Sequence, residues 1–298
     1  MQTIVRTLSS DDQLDVKVDR SWWLWLTVPI CALATAGSVI GIVVDDIYAK
    51  ETPNWGAQGV GQDIGNLVAF PVLMVLAYLA GRGSLRAHLA SAGVLAYSVY
   101  TYAIYAFDIH FGPLFLLYVA VFGLSIWAFI GSLGGLDVGR VKESFDEGTP
   151  VRLTSSILIV IGGAFSLLWL SEIVPAILGG TTPESLAEAG LTSSPVHVLD
   201  LGVLLPAAVG GGVLLRRGRP WGYVLAPVVL GALVFLSIGI IAAMTVLAGR
   251  GEDGSLGVVG FLSVLALLEI FVWVRFLRSV HPEGIRAATR SLERRSTQ

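Results

Sequence analysis

Apolar residues run through this chain in long unbroken blocks rather than at the spacing of a soluble fold. The blocks cover 22–44, 64–81, 89–107, 113–135, 153–179, 201–215, 221–248 and 256–274. A helix needs about 20 residues to cross the hydrocarbon core, and the 201–215 block reaches that length once 196–200 join it. No segment alternates apolar and polar residues in the way of a membrane barrel. The pattern predicts an all-α polytopic membrane protein with eight transmembrane helices. A cytoplasmic segment, 1–20, comes first. A four-helix unit spans 21–135, a linker 136–152, a second four-helix unit 153–280, and a basic tail 281–298.

Composition agrees. The chain has 298 residues, 54% hydrophobic and only 14% charged, where a soluble domain carries about 25% charged residues. The first block, WWLWLTVPICALATAG, invites a signal-peptide reading because small residues follow it. The apolar run continues through Ile40, Ile42 and Val44, so an uncleaved first helix is expected. The single cysteine, Cys31, rules out an internal disulfide, a CxxC pair and a thiolate cage. The net charge of −3 gives no footing for a nucleic-acid partner.

Charge sets an orientation. Of the 19 Lys and Arg residues, all but Lys50 and Arg250 fall on one side of the predicted spans. That side is expected to be cytoplasmic, with both termini there. Trp22, Trp23, Trp25, Trp221 and Trp273 lie near the same ends, where indole rings favour the headgroup level. The tail IRAATRSLERR reads first as a solvated end and second as a weak contact for anionic lipid.

Two stretches share an order of residues. GQDIGNLVAFPVLMVLAYLAGRG (61–83) and VLDLGVLLPAAVGGGVLLRRG (198–218) each run Asp, Gly, Pro, Arg-Gly. With Pro71 over Pro206, Arg82-Gly83 falls on Arg217-Gly218, and Asp63 falls near Asp200 with a two-residue gap. The copies open the second and the sixth helix. An even number of crossings separates them, so a parallel repeat of two four-helix units is expected.

The acidic and imidazole residues are the candidate chemistry. Asp63 and Asp200 lie at the predicted outer ends of their helices, with Asn66 one turn below Asp63 and His197 on the same face as Asp200. Tyr97, Thr101, Tyr105 and Asp108 form a polar stripe at helical spacing. Glu172 is expected about 28 Å along its helix, in the outer third, and Glu269 about 20 Å into the last one. Such groups at depth usually face a partner or a water cavity. The expectation is an acidic funnel opening outward, with Asp63, Asp200 and Glu172 facing it and Tyr105, Asp108 and His197 lining it. The alternative for Asp63 and Asp200 is capping, since a carboxylate in a first helical turn meets free N–H groups.

The motifs QD–P–RG, YTYAIYAFDIHFGPLFLLY and LDLGVLLP–LLRRG–PWGYVLAP resemble an uncharacterised group of multi-pass membrane proteins of bacteria and archaea, over roughly residues 45–245. The resemblance implies a prokaryotic cytoplasmic membrane and carries no activity or site.

Three function classes remain. The leading one is a transporter-like or solute- or ion-binding protein, because repeats, proline-interrupted helices and intramembrane carboxylates belong together in transporters. No G-x-x-x-x-G-K-[ST] loop is present, so energy would come from a gradient or a partner. The second is an intramembrane metal-dependent hydrolase. It would need three ligands plus water, from His110, His197 and a carboxylate such as Asp200. The third is a sensor or assembly factor without turnover. No cofactor is predicted, the expected partners are the bilayer and a small solute or cation, and the oligomeric state is left open.

Overall fold

The computed structural model describes residues 21–251 and 256–281. Among these residues eight helices are long and apolar enough to cross a membrane, and the extended pairing is a single bridge between Phe145 and Val280. They are α1 (Trp22–Val43), α2 (Pro53–Gly81), α3 (Leu85–Asp108), α4 (Phe115–Gly134), α5 (Val151–Gly179), α6 (Pro195–Arg216), α7 (Pro220–Gly249) and α8 (Leu256–Arg278). The protein is an all-α multi-pass membrane protein. Within lipid a helix satisfies its own backbone, which is why continuous apolar blocks take this form. Trp25, Phe107, Leu116, Trp127, Leu178 and Val264 remain exposed on the outside of the bundle, a surface suited to lipid and not to water. The segment 1–20 and the tail beyond His281 lie outside the described residues.

One boundary differs sharply from the apolar block. α2 begins at Pro53, well before residue 64. Thr52 caps it by accepting a hydrogen bond from the Trp55 N–H at 3.2 Å, and Pro53 takes the first position, where its missing N–H is harmless. The added turns, PNWGAQGVGQ, are rich in glycine and amides. Gly61 and Gly65 explain why. A methyl group on Gly61 would lie 2.2 Å from the Ala243 Cα, and one on Gly65 2.8 Å from the Gly239 Cα. α2 and α7 therefore touch backbone to backbone through a small-residue stripe, a common way for membrane helices to gain contact.

α1 to α4 close a ring in which α1 packs on α2 and α4, α2 on α3, and α3 on α4. α5 to α8 follow the same order of neighbours, with α5 on α6, α6 on α7 and α7 on α8. There the ring is looser, because α5 and α8 meet only briefly. The two halves join through α7, which lies against both α2 and α3. At the α3–α7 crossing, Gly93 sits against the Val228 carbonyl and the Gly231 Cα. α3 and α7 are accordingly buried along most of their length, whereas α5 is the most exposed of the eight.

α2 and α6 end alike. Gly83 and Gly218 take left-handed backbone angles, φ 88° and 64°. In each turn the following N–H bonds a carbonyl five residues back, Ser84 to Leu79 and Arg219 to Leu214. Only glycine adopts this conformation without strain, which accounts for both Arg-Gly pairs. At this basic end, Arg86 at the start of α3 donates to the carbonyls of Val280 (2.9 Å) and Arg278 (3.0 Å). The end of α8 is thereby fixed to the first half.

Candidate functional site

Between the two halves lies a cavity of about 310 Å³, large enough for a small organic molecule. Its walls come from α2, α3, α5, α6, α7 and α8. Most are apolar or aromatic, including Trp55, Tyr100, Tyr105, Phe165 and Trp169. The polar groups are few: Gln58, Gln62, Thr101, Ser237 and the carboxyls of Asp200 and Glu269. No lysine, arginine or histidine is among the described lining residues.

Asp200 is placed by an irregularity of α6. The regular helix Pro195–Leu199 gives way to a wide π turn over Asp200–Leu204, closed by the Leu205 N–H bonding the Asp200 carbonyl five residues back. Pro206 follows directly and has no N–H with which to hold the regular ladder. Such turns recur at functional sites. The Asp200 carboxyl is held from two sides. Tyr100 of α3 donates to Oδ1 at 2.9 Å and the Trp169 indole of α5 to Oδ2 at 2.7 Å. The Trp169 ring also rests on the His197 imidazole, with centroids 4.6 Å apart.

Glu269 lies deeper, on α8, and is 1% exposed. Ser237 of α7 donates to its Oε2 at 2.8 Å. Its other oxygen has no protein partner among the described residues.

Asp63 forms a second acidic centre behind the cavity wall. It is 2% exposed and accepts hydrogen bonds from Tyr48 (2.6 Å, Oδ2) and Tyr105 (2.9 Å, Oδ1). Gly41 of α1 makes room for it: a methyl group there would fall 2.0 Å from Oδ2. Beside it, Gln62 donates to the Tyr97 hydroxyl (2.6 Å), Tyr97 to Asn66 Oδ1 (2.7 Å), and Asn66 to Ser38 (3.2 Å). Burial, and then the Asp63 charge, push the Tyr48 phenol far above its usual pKa, so it stays a donor. Tyr105 and Gln62 line the cavity, and so connect it to this interior network.

The structure thus separates residues that the sequence suggested would share one funnel. Of the six, only Asp200 and Tyr105 line the cavity, joined by Glu269. Asp63 and Asn66 sit inside the first half, drawn there by tyrosine donors. Glu172 lies near the end of α5, where it accepts from Ser185 Oγ at 2.6 Å and stands 3.7 Å from His197 Nε2. Asp108 ends α3, half-buried. His110 pairs with Glu51, Nδ1 to Oε2 3.0 Å. Its partner turns it to a local contact, and among the described residues no three His, Cys, Asp or Glu side chains group to hold a metal. The three-ligand arrangement of His110, His197 and Asp200 is not formed. The capping reading also fails on position. Thr52 caps α2, and Asp63 lies about 15 Å further along. Ser194 caps α6, ahead of Asp200.

Sequence reasoning missed Trp169, Tyr100, Gln62, Ser237 and Tyr48. Trp169 carried one signal, as the lone indole of α5, set away from the basic ends near which Trp22, Trp23, Trp25, Trp221 and Trp273 lie. The chain matches no family model, and no curated protein or solved structure is similar to it.

Proposed function

We propose that this is a transporter-like protein of a prokaryotic cytoplasmic membrane, with both termini cytoplasmic, that binds a small solute in the cavity between two parallel four-helix units. The observation that carries the reading is the placement of two carboxyls, Asp200 and Glu269, on the wall of a largely apolar cavity at the junction of the halves. Ionisable groups at such depth are costly and mark solute or ion paths. Sites at a repeat interface are the common arrangement in transporters. The shared neighbour order of α1–α4 and α5–α8, and the matching glycine turns after α2 and α6, support the two-unit description. The test is thermal stabilisation of the purified full-length protein by a panel of small organic cations, anions and neutral solutes. At least one class should raise the unfolding midpoint, and Leu265→Trp, which fills the cavity, should remove the effect. No stabilisation by any class would overturn the reading.

A further inference from the structure

We infer that the cavity takes a lipophilic monocation, an ammonium group on a small apolar body, with its charged head at Glu269. The inference rests on the solute-binding reading above and names the class of solute.

Four observations converge. First, the described lining carries two carboxyls and no basic side chain, so a buried anion would meet only like charge and a buried cation finds a partner. Second, Glu269 is buried, lines the cavity and leaves Oε1 unpaired among the described residues. Asp200, by contrast, has each oxygen already engaged, by Tyr100 and by Trp169. Glu269 is therefore the group with a vacant acceptor. Third, the walls include the aromatic residues Tyr100, Phe165 and Trp169, a residue type that attracts an ammonium and covers an apolar body at once. Fourth, α5 and α8, which both wall the cavity, meet only briefly. A loose seam between two wall helices leaves a route by which a small amphipathic molecule reaches the cavity.

The donor set suits an ammonium head and not a bare metal ion. Glu269 supplies the acceptor that holds the cation, and Asp200 adds a second carboxyl to the same cavity wall. A hard metal ion needs several oxygen ligands at once, and among the described residues Glu269 has only Ser237 hydrogen-bonded to it, with no three His, Cys, Asp or Glu side chains grouped there.

The experiment uses full-length protein in lipid nanodiscs and three probes of matched shape: benzyltrimethylammonium, its uncharged analogue neopentylbenzene, and benzenesulfonate. Tryptophan fluorescence reports binding, since Trp55 and Trp169 line the cavity. The cation should bind at least about tenfold more tightly than the neutral analogue, and the anion weakly or not at all. Glu269→Gln should lower cation affinity at least about tenfold while leaving the neutral analogue unchanged. If that variant does not fold, carbodiimide labelling of wild-type Glu269, located by peptide mass spectrometry, gives the same decision. Benzyltrimethylammonium should protect the residue and neopentylbenzene should not. Equal affinity for cation and neutral analogue, or labelling of Glu269 that the cation leaves unchanged, would overturn the monocation inference while the solute-binding reading stood. Binding of none of the probes would also overturn it, and the solute panel above then decides whether the cavity binds anything.

Discussion

Tyr105 joins Asp63 to the cavity: its hydroxyl donates to Asp63 Oδ1 at 2.9 Å, and the residue lines the cavity. A molecule pressing on Tyr105 acts on a carboxyl that, among the described residues, no lysine, arginine or histidine accompanies within hydrogen-bonding reach. Tyr48 completes the clamp from the turn between α1 and α2, so three segments meet on one acidic group.

Asp63→Asn tests this clamp. An amide presents one accepting oxygen to two phenol donors, so one buried hydroxyl loses its partner. A loss of about 1–3 kcal/mol is expected, read as a lower unfolding midpoint in detergent, with Tyr105→Phe destabilising in the same direction. An unchanged midpoint in Asp63→Asn would count against a carboxylate clamped by two phenols.

Tyr48 gives a pH prediction. Its folded pKa is raised, so the folded state holds a proton that the unfolded chain releases above about pH 10. The stability it contributes is therefore complete below that pH and declines as pH rises further. Tyr48→Phe should make the alkaline decline shallower by about 1.4 kcal/mol per pH unit, the slope of one proton. Denaturation profiles between pH 8 and pH 11 that run parallel in both proteins would count against the assignment.

The α2–α7 contact should tolerate no added carbon. Gly61→Ala places a methyl group against the Ala243 backbone, and overpacking of this kind costs about 1–3 kcal/mol or more. Gly210→Ala is the control, because nothing lies within 4 Å of a methyl group there. Folded yield and melting of the two variants should differ plainly; equal behaviour would contradict the close crossing.

Reporter fusions test the membrane orientation inferred from the arginine and lysine distribution. Fusions after Arg86, Lys142 and Arg219 should read cytoplasmic, and one near Ala187 should read external. An inverted pattern would place the cavity's Asp200 end toward the cytoplasm.

The helix count was legible in the sequence because it is written in long-range composition, whereas the acids were expected in an outward funnel that the structure does not form. Eight apolar blocks are hard to arrange in any other way, and a carboxyl such as Glu269 inside one of them has nowhere cheap to go. The start of α2 was not legible from hydropathy: its first three turns carry Gly56, Gly59, Gly61, Gln58 and Gln62, which look like loop and serve instead as a close-packing face and a polar network. The Thr52-Pro53 pair was the local signal for that start. Which acid meets which donor was not legible either. Asp63 and Asp200 occupy similar places in a repeated pattern, yet one is buried within the first half and the other lines the gap between the halves. That difference arises from tertiary partners, Tyr48 on a short connecting turn and Trp169 on α5, whose positions no local spacing encodes.

The backbone-to-backbone seat of α7 against α2 has a consequence for how the protein is made. During synthesis α2 enters the membrane long before its partner, since α3 to α6 must be translated first. At typical elongation rates the interval is on the order of ten seconds. Throughout that time the glycine face of α2 and the Gly93 notch of α3 are open to lipid or to any passing helix. The contacts among the first four helices do not cover this face, which α7 covers in the complete chain. Biogenesis therefore has a late committing step, the arrival of α7, and a chain truncated before Pro220 would present an adhesive groove of the kind that membrane quality control removes.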